Sequence, residues 1–287
     1  MKALTVDKLK VCYVIPQDLH ETLQEKNSFC INSFEIQFKF SQFSQVVYNV
    51  KYLGGDIPTT RDILGELSIG VSEEYEENSK RYMWFEFYNE TLYSVTDQHY
   101  LYDFIKLLET EFEVQLNNVT NFELALDSDA NLGDLIQQAY TDVDADVIAL
   151  GHAYSDEYIP YVVRECRGNR FSPTLIHWRV KGYDSKFQLY CYDKKDELTK
   201  SQKKYIPQYY GVESFNSLWR LEIRCSKEFL WDYLEDNYLT WDEFLSMLLS
   251  SEHKPEVMDY LSGRLLRFRF SRLNRPSVYN YINSKLS

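Results

Sequence analysis

The sequence predicts an α+β protein: an antiparallel sheet with flanking helices and a helical, basic C-terminal part. Aromatic residues make up 16% of the 287 residues, with 24 Tyr and 17 Phe, a composition that favours pleated, half-buried surfaces. Short runs of alternating apolar and polar residues recur, separated by stretches with apolar residues at helical spacing. The last third carries helix start signals instead of strand alternation.

From the N-terminus, residues 9–15 read as a strand, 17–26 as a helix, and 31–40 and 46–52 as strands that end in the turn 54–58. Residues 59–67 are expected as helix or turn, followed by an acidic loop over 72–78. The aromatic run 81–88 and the short 91–94 are expected to pair as a hairpin. Leu101, Phe104, Ile105, Leu108 and Phe112 predict an amphipathic helix over 97–113. A strand at 122–127 and a helix over 131–140 follow, and 141–172 is expected to be loop-rich. The sheet returns at 175–181, 187–193 and 219–224, with a helix and loop over 197–209. Thr240 and Glu243 have the spacing of a capping box, and Pro255 suits the first turn of another helix. Taken as segments, 1–115 is expected as an N-terminal part of the sheet domain, 116–230 as the strands bearing the chemistry, and 231–287 as a helical, basic region.

Net charge is −13, but it is unevenly spread: residues 62–160 hold 3 basic against 22 acidic residues, whereas 161–287 hold 21 basic against 16 acidic. That asymmetry is compatible with one face turned to a polyanion, and equally with a soluble acidic protein. No apolar run reaches the length of a membrane span, so no membrane partner is expected. The five cysteines are scattered without metal-ligand spacing, which points to reduced thiols and a cytoplasmic setting. Phosphate-cradling glycine loops, paired histidines and a nucleophile elbow are all missing from the sequence. Asp142, Asp144 and Asp146 imitate the start of a calcium loop, but Val147 and Ala153 stand where Gly and Glu are needed.

Three segments concentrate reactive side chains. On a strand, Glu123 and Asp127 share one side; so do Tyr190, Tyr192 and Lys194, and so do Arg220, Glu222 and Arg224. Glu123, Asp127 and Glu222 offer oxygen ligands of the kind Mg²⁺ or Mn²⁺ requires. A tyrosine hydroxyl beside them can attack phosphorus, and Lys194, Arg220 and Arg224 can clamp phosphate oxygens. The plain alternatives are a buried sheet tyrosine, a cross-strand ion-pair ladder around Glu222 and surface carboxylates.

The order Val119-Thr-Asn-Phe-Glu-Leu-Ala-Leu-Asp127, Tyr190-Cys-Tyr-Asp-Lys194, Trp219-Arg-Leu-Glu-Ile-Arg224 resembles the Rep_trans group of rolling-circle replication initiators, which includes staphylococcal plasmid initiators and conjugative-element relaxases. Asn121 and Glu123 stand where that pattern has Arg and Asp. The resemblance implies a palm-like, RRM-related antiparallel sheet and metal-dependent nicking and closing of origin DNA through a 5′-phosphotyrosine. It places the Mg²⁺ or Mn²⁺ ligands on Glu123, Asp127 and Glu222 and the nucleophile on Tyr192, with Tyr190 in reserve and Lys194 and Arg220 assisting. The implied partners are single-stranded or supercoiled origin DNA, with a helicase and a second copy of the chain as further candidates. DNA contacts would fall on Arg224 and on Arg264, Arg267, Arg269, Arg272 and Arg275, which interleave with Leu265, Leu266, Phe268 and Phe270. The alternative is a non-catalytic DNA- or protein-binding relative of the same fold, its acidic surface meeting a basic partner or mimicking DNA. A palm-type polymerase or primase is a third class.

Overall fold

The computed structural model describes residues 1–55, 57–70, 80–95, 97–141, 146–149, 161–166, 173–179, 187–270 and 274–286. All of the acidic segment 72–78 and most of the calcium-loop imitation lie outside them, as does Arg272. The protein is α+β, with antiparallel sheet flanked by helices, and divides into two compact units. Strands β1 (Lys2–Ile15) and β7 (Gln115–Ser128) each contribute to both units.

One unit comprises Val6–Phe122 and Leu230–Ser250. Its strands run in the order β2 (Phe29–Ile31), β3 (Phe34–Gln42), β4 (Gln45–Tyr52), β5 (Ile63–Gly70), β6 (Arg81–Phe87), β1 and β7. Alternate residues Tyr48, Leu67, Ile69, Met83, Phe85, Val11 and Tyr13 are buried. Helix α3 (His99–Glu111) buries Leu101, Phe104, Ile105 and Leu108, the stripe its spacing predicts. Phe104 meets Tyr52 edge-on at 5.0 Å between ring centroids. Helix α8 (Trp241–Leu249) is opened by the expected capping box, Thr240 and Glu243 each satisfying the other's backbone amide.

Three expectations change in this unit. The segment read as a strand over 31–40 is strand β3 from Phe34 onward, and Asn32, at a left-handed φ of 42°, turns the chain into it from the short strand β2. The segment read as helix or turn over 59–67 yields strand β5, whose Gly65 faces Phe87 of β6. The expected second hairpin strand at 91–94 is instead helix α2 (Asn89–Leu92), with the buried Thr91 hydroxyl donating to Ile63 O at 3.2 Å. Over 59–67, pairing with β4 on one side and β6 on the other overrides a weak local preference.

Gly65 also yields a prediction. A Cβ there would lie 2.2 Å from Glu86 O and 2.9 Å from Phe87 Cα, both backbone atoms that cannot swing aside. Gly65→Ala is expected to lower stability by about 1–3 kcal/mol through forced overpacking. An unchanged urea midpoint would show that β5 shifts freely.

His20, on α1 (Gln17–Gln24), is buried with Nε2 3.0 Å from Gly70 O. Burial lowers its pKa below the usual imidazole range, only partly opposed by the Gly70 carbonyl. The unfolded chain therefore binds the proton more readily, so stability is full above the ordinary value of about 6.5 and falls as pH drops below it. Urea unfolding at pH 7 and pH 5 is expected to show this loss, and His20→Gln to diminish it.

The other unit comprises Met1–Thr5, Glu123–Phe229 and Ser251–Ser287. Its strand order is β7, β12 (Trp219–Ser226), β11 (Phe187–Asp193), β10 (Pro173–Arg179) and β9 (Tyr161–Cys166). Helices α4 (Leu132–Thr141) and α9 (Lys254–Leu265) pack on β11 and β12, where Leu189, Cys191, Leu221, Ile223 and Cys225 are buried. Burial pushes the Cys191 and Cys225 thiols far above their usual range, so they act as small hydrophobes. Pro255 lies in the first turn of α9, as expected.

Two corrections belong to this unit. The region 141–172, expected to be loop-rich with a short helix at most, contributes β8 (Asp146–Ala149) and β9. Nor is the basic C-terminal run wholly helical: β13 (Leu266–Arg269) pairs antiparallel with β8, ahead of helix α10 (Val278–Lys285). The alternation Leu266-Arg-Phe-Arg269, with Leu266 and Phe268 buried, has the period of a strand.

Candidate active site

The polar face of β7, β12 and β11 gathers Glu123, Asp127, Tyr190, Tyr192, Arg220, Glu222 and Arg224. Antiparallel pairing sets Tyr190 opposite Glu222, Tyr192 opposite Arg220 and Gln188 opposite Arg224. Cross-strand neighbours on one face approach closely enough for direct contact. Each polar side chain therefore meets its counterpart directly or on the diagonal.

Glu222 is the hub, only 1% exposed. Its Oε2 accepts a hydrogen bond from the Tyr192 hydroxyl at 2.8 Å. Its Oε1 accepts from Arg224 Nε and forms an ion pair with Nη2, each at 3.0 Å. The Arg224 guanidinium also reaches Glu123 Oε1 at 3.2 Å and lies over the Tyr190 ring at 4.6 Å. Burial opposes the charge on Arg224, but the Glu222 and Glu123 carboxylates outweigh it and hold the guanidinium more firmly protonated than usual.

Lys194 differs from expectation in its setting. It is the first residue of helix α5 (Lys194–Ser201), because Asp193 caps that helix by accepting from the Asp196 amide. Its side chain is buried, with Nζ 2.5 Å from Glu197 Oε2 and 3.5 Å from the Tyr192 hydroxyl. A cation thus still stands beside the tyrosine oxygen. Burial alone would raise the Glu197 carboxyl, but Lys194, together with Lys203 and the Ser201 side chain, outweighs it and holds it below its usual range.

Asp127 and Arg220 form a separate, wholly buried pair. Arg220 Nε donates to Asp127 Oδ1 and Nη2 to Oδ2, both at 2.7 Å, the bidentate fork that suits carboxylate best. Arg220 Nη1 stands 3.7 Å from Glu222 Oε2. Tyr210 donates its hydroxyl to Asp127 Oδ2 at 2.6 Å. Arg220, expected as a phosphate clamp, thus has a guanidinium edge committed to a carboxylate and no exposure to solvent. Asp127, expected as a metal ligand, has both oxygens engaged. Asp129, just past the strand, pairs with the Met1 ammonium at 2.6 Å.

No family model and no curated protein matches the chain. Among solved structures, a rolling circle replication initiator protein from Geobacillus stearothermophilus is similar over all of this chain and 97% of that one, with 12% identical residues and a TM-score of 0.46.

Tyr190 lies on the same face as Tyr192 but makes different contacts: its hydroxyl donates to Gln188 Oε1 at 2.6 Å. The C-terminal arginines are dispersed. Arg264 bonds the Tyr260 hydroxyl at 3.3 Å, Arg267 bonds Arg275 O at 3.2 Å, and Arg275 is exposed. Arg269 lies on β13, its side chain outside the described set, as is all of Arg272. Sequence reading missed Tyr210 and Gln188. Gln188 shares strand parity with Tyr190 and was legible in principle. Tyr210 follows α6 (Tyr205–Tyr209), and nothing local marks it.

Proposed function

We propose that this protein nicks and rejoins DNA at an origin through Tyr192, as the resemblance of its three segments to rolling-circle initiators implies. The observation that carries the reading is the Tyr192 hydroxyl donating to Glu222 Oε2 at 2.8 Å. Nucleophile and base are within hydrogen-bond reach, and the base is itself oriented by Arg224. In the nicking step the tyrosine oxygen forms a bond to phosphorus as the bond from phosphorus to the 3′-oxygen breaks. The phenol proton passes to Glu222, and the 3′-oxygen leaves as a hydroxyl after taking a proton from solvent. Rejoining reverses each transfer. The Lys194 ammonium favours negative charge growing on the tyrosine oxygen.

The donor set around Arg224 fits a hard divalent cation. Glu123 Oε1 and Glu222 Oε1 converge on one positive group, the Arg224 guanidinium, whose side chain is 44% exposed. Glu123 and Glu222 would hold Mg²⁺ or Mn²⁺, which would neutralise charge on the phosphodiester. Asp127, committed to Arg220, is assigned a supporting part instead.

The test is incubation of the full chain with a library of single-stranded oligonucleotides and Mn²⁺, followed by mass analysis for a tyrosyl adduct. An adduct that disappears on chelation, and whose Mn²⁺ requirement rises in Glu123→Gln, is the expected outcome. A non-catalytic DNA- or protein-binding role is the second reading, favoured by the way Arg224 already neutralises both glutamates. Absence of any adduct, together with absence of Mn²⁺ binding, would select it.

A further inference from the structure

We infer that Tyr210 is a positioning residue of this site: with Asp127 it locks Arg220 so that the guanidinium faces Glu222 and holds that carboxylate against Tyr192. The inference rests on the nicking reading for its consequence, but its geometry stands apart from it. A continuous path of contacts runs from Tyr210 to Asp127 at 2.6 Å, from Asp127 to Arg220 at 2.7 Å, from Arg220 Nη1 to Glu222 Oε2 at 3.7 Å, and from Glu222 to the Tyr192 hydroxyl at 2.8 Å.

Each link has a physical reason. A bidentate fork fixes the guanidinium plane, because rotation about the end of the side chain would break both bonds at once. With Nε and Nη2 spent on Asp127, the remaining nitrogen, Nη1, points to Glu222 Oε2. The oxygen it faces is the one that accepts from Tyr192. Oε1 is turned instead to Arg224, which also holds Glu123. Arg220 therefore separates the two duties of Glu222, proton acceptance at one oxygen and cation contact at the other.

Tyr210 completes the lock from a different element. It ends α6, where Gly211 adopts a left-handed φ of 69° that lets the chain reverse at once. Its ring is wedged edge-on between Tyr209 and Phe215, with centroids 5.1 and 5.7 Å away. Burial, and then the Asp127 carboxylate, raise the Tyr210 phenol far above its usual range, so it remains a hydrogen-bond donor at any physiological pH. A neutral donor at Oδ2 steadies Asp127 without competing for the charge of Arg220.

The experiment compares wild type, Tyr210→Phe and Glu222→Gln in single-turnover adduct formation, over a range of Mn²⁺ and oligonucleotide concentrations. Tyr210→Phe is expected to slow the saturated rate about tenfold, the scale of a small misplacement of reacting groups. It is expected to leave both half-saturating concentrations within twofold of wild type, whereas Glu222→Gln raises that for Mn²⁺. A Tyr210→Phe rate within twofold of wild type would overturn the inference, as would a rise in the Mn²⁺ requirement matching that of Glu222→Gln. If wild type forms no adduct, the nicking reading fails by itself. Urea unfolding of Tyr210→Phe, Asp127→Asn and the double variant then decides the lock: non-additive midpoints support it and additive ones overturn it.

Discussion

Arg220→Met is expected to lower the unfolding free energy by about 3–5 kcal/mol, the cost of leaving one member of a buried ion pair alone. Asp127 and Arg220 both have no exposed surface, and their two hydrogen bonds are each 2.7 Å long. Removing the guanidinium leaves a carboxylate that water cannot reach, with Tyr210 as its remaining donor among these three side chains. Against a total stability of about 5–15 kcal/mol for a typical domain, such a loss brings the folded state close to its limit. Replacing both partners, as in Asp127→Leu with Arg220→Met, is expected to recover most of it, because no charge is then stranded. Equilibrium urea unfolding measures both. A loss below about 1 kcal/mol for Arg220→Met, the range of exposed pairs, would mean that water reaches the pair.

The second large effect separates two tyrosines on one face. Tyr192→Phe is expected to reduce covalent adduct formation by roughly a thousandfold or more, as removal of a nucleophile does elsewhere. Tyr190→Phe is expected to change it only a few-fold. The Tyr190 hydroxyl bonds Gln188, and the Tyr190 ring, which the substitution keeps, supports Arg224 through a cation–π contact. Peptide mapping of the adduct makes the assignment direct. Mapping to Tyr190, or undiminished reaction in both variants, would sink the role given to Tyr192.

Strand β11 shows how far local reading goes. Residues 187–193 are legible as a strand from alternation alone, and the observed β11, Phe187–Asp193, has those bounds. The side-chain period of two then dictates that Tyr190 and Tyr192 share a face, as do Arg220, Glu222 and Arg224. The same alternation extends that face to Lys194, one residue past the end of the observed strand. The Asp193 cap, a local signal, starts a helix there instead. Where the local pattern is weak, as over 59–67, pairing with β4 and β6 makes the choice.

Alternation along β7, β11 and β12 was enough to put carboxylates, tyrosines and guanidinium groups on common faces, because that depends only on the geometry of each strand. Which acid neutralises which base is a different matter. It follows from register, Tyr192 opposite Arg220 and Tyr190 opposite Glu222, and from burial that excludes water from Asp127 but not from Arg224. Both arise when segments far apart in the chain pack, as when Tyr210, 83 residues beyond Asp127, closes over its carboxylate. Three acids of equal standing in the sequence therefore part company in the fold. Asp127 anchors an arginine, Glu222 accepts from a tyrosine, and Glu123 shares a cation with Glu222.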